Sequence, residues 1–103
     1  MAKLKLNPDP TFTVKVGIPV PGARSASVAL TFKYRDRDGL QAWIEATRDA
    51  EDVDVVADCV VGWDLDDEFN RENVDRLCRA YPGAAREIVG DYVRELAGIR
   101  SGN

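Results

Sequence analysis

The sequence contains no histidine. That one absence removes the commonest general base, the commonest partner of a catalytic nucleophile and the commonest zinc ligand. It has only two cysteines, Cys59 and Cys78, each inside an apolar helical pattern. Such cysteines are small core residues rather than a bridge or an activated thiolate. No glycine-rich phosphate loop is present, because the eight glycines are scattered. No apolar run approaches the roughly 18 residues that a membrane span needs. The opening Met1–Pro8 carries charge but no apolar centre, so no secretory signal is read there. Basic residues are also missing where acids crowd: between Asp49 and Asp75 there are 11 acidic groups and only Arg71 to oppose them. These absences leave little for catalysis. The expectation is a protein without enzymatic activity, metal or cofactor, at work in a reducing cytosol.

What is present reads as one folded domain. The chain has 103 residues, 45% hydrophobic and 31% charged. That length buries roughly two-thirds of the unfolded surface and needs no metal or disulfide staple. Residues 11–100 are assigned to a single α+β domain, residues 1–10 to a flexible N-terminal segment and residues 101–103 to a frayed end. The net charge of −4 is unevenly spread, at +4 over residues 1–48 and −8 over residues 49–103. An acidic band of this density repels nucleic acid and anionic membrane, so neither is expected as a partner. It reads either as solvated surface or as a docking surface for a basic partner.

Period-two alternation marks two strands. Phe12, Val14 and Val16 alternate with Thr11, Thr13 and Lys15; Val28, Leu30 and Phe32 alternate with Ser27, Ala29, Thr31 and Lys33. Gly17 and Ile18-Pro19-Val20-Pro21-Gly22 are expected to break the pairing, since proline cannot donate to a ladder. The result is an antiparallel hairpin over about residues 11–34. Two strands alone are marginal in water, so they must pack on helices or pair with a second copy. A bundle of about four helices follows. Asp36 or Asp38 caps the first, with Gln41 three residues after Asp38, and Leu40, Trp43, Ile44 and Thr47 form its stripe. The next segment is ambiguous. Val53, Val55, Val56, Val60 and Val61 would suit a strand. Val53, Val56, Ala57 and Val60 nonetheless follow helical spacing, and Glu51 and Asp52 stand where a helix N-terminus favours anions, so a helix is preferred. Asn70 caps the third helix, with Val74, Leu77, Cys78 and Tyr81 on its stripe. Pro82 opens the fourth, whose apolar face is Ala85, Ile88, Val89, Tyr92, Leu96 and Ile99.

The stretch between the second and third helices stands out. Gly62 sits where a left-handed helix cap is wanted. Trp63, Leu65 and Phe69 follow, large apolar groups among the carboxylates Asp64, Asp66, Asp67 and Glu68. Asp64, Asp66 and Glu68 alternate like the first ligands of a calcium loop. The turn glycine is missing, however, Phe69 holds that place, and the twelfth position is Asp75 rather than Glu. The apolar groups either tuck under the loop to close the core or meet a partner. Trp63, Asp64, Leu65, Asp66 and Phe69 are the candidate partner-binding residues, together with exposed flanks of the second and last helices.

The string Gly62-Trp63-Asp64-Leu65-Asp66-Asp67-Glu68-Phe69-Asn70, then Glu72-Asn73-Val74 and Tyr81-Pro82-Gly83-Ala84-Ala85, resembles the small tail assembly chaperones of long-tailed (siphovirus-type) bacteriophages. Asn7-Pro8, Phe12, Ile18-Pro19-Val20-Pro21-Gly22 and Phe32-Lys33 resemble the start of the same family. The resemblance implies a protein made in the host bacterial cytoplasm and absent from the mature virion. It implies binding to the tape measure protein, which it keeps soluble, and help in recruiting the tail tube protein, in many phages through a frameshifted, C-terminally extended form. Many copies per tape measure protein imply a homo-oligomer. A rival reading, drawn from the acidic band, is an acidic nucleic-acid mimic that inhibits a basic host protein.

Overall fold

The computed structural model describes residues 4–98. Its elements run β1 (Thr11–Ile18), β2 (Ala26–Lys33), α1 (Arg37–Ala46), α2 (Asp52–Cys59), β3 (Val60–Trp63), α3 (Arg71–Ala80) and α4 (Ala84–Ala97). This is the α+β architecture expected, with the hairpin enlarged to a three-stranded antiparallel sheet in the order β1-β2-β3. The third strand answers the marginal stability of an isolated hairpin from within the chain. Ile99 and residues 101–103, placed above on the last helix and the chain end, lie outside the described residues.

The alternation in β1 and β2 sets the sheet's faces. Val16, Ile18, Val28, Leu30 and Phe32 point inward and are buried, while Thr11, Thr13, Lys15 and Ser27 face outward. The pairing does not break at Gly17. It runs to Ile18 opposite Ala26, and the turn closes later, with the Ala23 N–H donating to the Val20 carbonyl at 3.0 Å. Both prolines lie beyond the last pair, so no ladder bond is lost to them. Gly22 takes φ 77° in that turn, which glycine reaches without a Cβ penalty.

Val60-Val61-Gly62-Trp63 is not a helix end. Helix α2 stops at Cys59, and the chain straightens to pair Trp63 with Leu30, Gly62 with Thr31 and Val60 with Phe32, with an irregularity between Thr31 and Phe32. Gly62 is therefore a strand residue, not a left-handed cap. Among the described residues only Gly22 and Gly98 have positive φ, and Gly98 caps α4 with its N–H on the Arg94 carbonyl. Two smaller expectations also shift. Asp36, not Asp38, caps α1, its carboxylate accepting from the Gly39 N–H at 2.8 Å, while Gln41 reaches Glu45. Helix α4 begins at Ala84; Pro82-Gly83 forms the turn before it, with the Ala84 N–H on the Tyr81 carbonyl. Asn70 caps α3 as expected, its carboxamide oxygen accepting from the Asn73 N–H at 2.8 Å.

The core lies between the inner sheet face and the helices. Trp43 of α1, Val56 and Cys59 of α2, Val74 of α3, and Ala84, Ala85, Ile88 and Tyr92 of α4 pack on the five strand residues and on Val60. Tyr92 sits at its centre. Its ring stacks on Phe32 at 5.0 Å and on Phe12 at 6.0 Å, and meets Trp43 edge-on at 5.1 Å. Stacked and edge-on aromatic pairs add to the burial itself.

Candidate partner-binding surface

The loop after β3 is held by its own residues. The Asp64 N–H donates to the Ala29 carbonyl at 3.1 Å, and the Asp64 carboxylate accepts from the Ala29 N–H at 3.0 Å. These two bonds continue the β2–β3 pairing one step past the strand. Trp63 donates its indole N–H to the Asp67 carbonyl at 2.8 Å, and its ring meets Phe69 edge-on at 5.1 Å. The Asn73 carboxamide donates to the Glu68 carbonyl at 2.7 Å, tying the loop's far end to α3. Every fixed point of the loop is thus a neighbour in sequence or a strand already in the sheet.

The five candidate residues divide into three groups. Trp63, Leu65 and Phe69 are half-buried and pack against the core margin. Asp64 is exposed but committed to Ala29. Asp66 is exposed and makes no hydrogen bond or ion pair among the described residues. Trp63 and Leu65 both line an open groove of about 400 Å³. Ile18, Val20, Ala26 and Val28 from the end of the hairpin line it with them, as do Asp67 of the loop and Asn73, Arg76, Leu77, Ala80 and Tyr81 of α3 and the residue that follows it. Phe69 does not line the groove; its ring meets Trp63 edge-on. The strand end and the α3 residues were not singled out from the sequence. Leu77 and Tyr81 were visible there only as a helical stripe, and nothing in spacing tells which part of a stripe stays uncovered.

On the loop side one carboxylate, Asp67, lines the groove. Arg71, the one basic residue of the acidic band, pairs with Asp54 on α2. Asp66, Asp67 and Glu68 are left without an ion-pair partner among the described residues. On the α3 side Arg76 donates to the Asn73 side chain at 2.9 Å, leaving its charge uncompensated by any carboxylate there. The lining is therefore mostly apolar, with Asp67 contributed by the loop and Arg76 by α3. On the flank of α2 the exposed residues are Asp52 and Asp58, with Glu51 exposed at its N-cap.

A second constellation belongs to the core. Tyr92 donates its hydroxyl hydrogen to the Lys33 carbonyl at 2.7 Å and accepts from Arg35 at 2.8 Å. Arg35 also reaches the Asp58 carboxylate at 3.2 Å and lies over the Trp43 ring at 5.1 Å. Burial pushes the Tyr92 phenol up, with Arg35 pulling the other way. Burial also pushes the Cys59 thiol up to about 12, and the Cys78 thiol upward. Both thiols are thus held protonated, the opposite of an activated nucleophile. Among the described residues no three Cys, Asp or Glu side chains are grouped to hold a metal ion, and Asp64 of the calcium-like pattern is turned to Ala29. No helix among the described residues is long and apolar enough to cross a membrane.

A family model described as phage tail assembly chaperone matches residues 1–103 of this chain. No curated protein and no solved structure matches it.

Proposed function

This chain belongs to the phage tail assembly chaperones, and from that membership we propose that it binds the tape measure protein and keeps it soluble while the tail is built. It does so by covering apolar helical surface and carries out no bond-making of its own. The observation that carries the reading is the groove between the 63–69 loop and α3, mostly apolar in its lining, with Asp67 of the acidic loop beside it. A long helical protein with apolar seams aggregates when those seams are bare. An amphipathic helix laid in such a groove hides its apolar face, while the outward carboxylates keep the complex in solution. Trp63 and Leu65 touch the guest directly. Phe69 and Asp64 hold them in place, and Asp66 contributes charge. Recruitment of tail tube subunits, through an extended form of the chain, is the second half of the same reading, set in the host bacterial cytoplasm and ending before the mature virion.

Co-expression with the tape measure protein tests it. The tape measure protein is expected in the soluble fraction with the wild-type chain and in the pellet without it. A chain carrying Leu65→Asp should leave it in the pellet. Equal insolubility with and without the wild-type chain would overturn the reading.

A further inference from the structure

We propose that the open edge of β1 takes up an extended acidic segment of another protein as a further strand of the sheet. In the order β1-β2-β3, β1 has a neighbour on one side only. Its register with β2 fixes which backbone groups are left over. The Tyr34 N–H donates to the Pro10 carbonyl at 2.8 Å, and the same register runs unbroken from Thr11 opposite Lys33 to Ile18 opposite Ala26. In an antiparallel ladder, opposed residues alternate between bonded and unbonded pairs. Phe12, Val14, Val16 and Ile18 therefore direct their N–H and C=O groups to β2, while Thr11, Thr13, Lys15 and Gly17 turn theirs away. Ala29, opposite Lys15, obeys the same alternation: both of its backbone groups bond Asp64, on the β3 side. No other backbone group among the described residues bonds Thr11, Thr13, Lys15 or Gly17.

The edge lacks most of the devices that block such pairing. The β1–β2 register has no bulge, whereas β2–β3 has an irregularity and β3 is only four residues long. Pro10 and Pro19 bracket β1, and neither lies within it. Lys15 is the one charged residue of the strand.

The two faces define what fits. On the inner face Phe12 and Val14 are half-buried, while Val16 and Ile18 are buried. Apolar side chains of an added strand would complete the cover of Phe12 and Val14. On the outer face Lys15 and Lys33 are exposed, and they are the only charged residues of β1 and β2. Neither makes an ion pair among the described residues. A carboxylate of the segment belongs beside Lys15, away from Asp9 and Glu95, which line a cavity at the Thr11 end. A second copy fits poorly, because pairing β1 with β1 gathers Lys15 and Lys33 of both chains on one face with no strand carboxylate to offset them. The occupant is therefore an extended segment in which apolar and acidic residues alternate. None of Thr11 to Gly17 lines the groove beside α3, so the two surfaces are separate. This proposal does not rest on the function proposed above.

Amide exchange on the full chain tests it, with a synthetic peptide alternating valine and glutamate as the probe. In the free protein the Val14 and Val16 amides should exchange slowly, and those of Thr13, Lys15 and Gly17 freely. The peptide should slow the latter three by about tenfold or more. A peptide alternating valine and lysine should leave them fast. So should the glutamate peptide methylated at its glutamate nitrogens, which face β1 when glutamate stands opposite Lys15. Lys15→Glu, at an exposed position, should shift the preference toward the lysine peptide with unchanged circular dichroism. Thr13→Pro removes an open-edge N–H but no bond to β2, so it should prevent the slowing while Val14 and Val16 stay protected. Leu65→Asp in the groove should change none of this. Outward amides that stay fast with the glutamate peptide overturn the proposal, as does equal slowing by the methylated or the lysine peptide. Slowing without peptide as protein concentration rises also overturns it, because the occupant would then be a second copy.

Discussion

Tyr92 shows how one side chain can organise a small core. Its ring is the hub of three aromatic contacts, and its hydroxyl joins Lys33 of β2 to Arg35, which in turn holds Asp58 and covers Trp43. Tyr92→Phe keeps the ring but strands the Lys33 carbonyl and one Arg35 donor. It should cost about 1–2 kcal/mol, read from urea unfolding. The two buried acids of this region also set a pH limit. Cys59 is held protonated, its thiol pushed up to about 12 from 9.0, and the Tyr92 phenol is raised as well. Between the unfolded and the folded values the unfolded chain binds fewer protons than the native one. Stability from both groups is therefore complete below about pH 9 and falls as pH rises above it. The urea midpoint should drop from pH 9 upward, and Cys59→Ala should lessen the drop. A midpoint flat to pH 11 would contradict the burial argument.

Elements show which signals were local and which were not. The hairpin strands and the α1, α3 and α4 helices were legible because each carries its own period or cap: Phe12 to Val16, Val28 to Phe32, the stripe Leu40 to Thr47, Asn70, and the stripe Ala85 to Leu96. Strand β3 was not, since Val60 also completes the helical spacing that starts at Val53. What decides between them is the open edge of β2, where Thr31 and Leu30 take up Gly62 and Trp63. The β-branched pair Val60-Val61 before Trp63 was the one available hint, and a tertiary partner was needed to give it weight. The groove was half legible for the same reason. Trp63 and Leu65 could be picked as large apolar groups among acids, but Ile18, Val20 and Leu77 become its lining only once the sheet end and α3 are brought together. Gly62→Ala separates the two assignments. In a left-handed cap it would be destabilising by about 1 kcal/mol. In the strand the new Cβ would meet the Thr31 Cβ at 3.9 Å, an ordinary contact. The expected outcome is thermal stability equal to or above that of the wild type. Asn70→Ala, by contrast, removes a cap that both assignments share and should cost about 1 kcal/mol.

At the scale of the whole molecule the question is what the acidic half is for. Residues 49–103 carry a net −8 against +4 in the first 48, and two functions could use that field differently. A nucleic-acid mimic binds a basic protein through the charges themselves. A chaperone of apolar helices uses them to keep the complex in solution, while the groove supplies the contact. The two diverge with ionic strength. Screening shortens from about 10 Å at 0.1 M salt to about 3 Å at 1 M, and association driven by many charge pairs falls by orders of magnitude over such a range. Apolar burial is not weakened by it. The affinity for a helical segment of the tape measure protein, followed through Trp63 fluorescence in a Trp43→Phe background, should change by less than about tenfold between those salts. Only the association rate should slow, because the field steers encounter more than it holds the complex. A collapse of affinity at high salt would move the contact from the groove to the acidic loop beside it. Leu65→Asp would then be nearly silent, and Asp66→Asn with Asp67→Asn would become the damaging change.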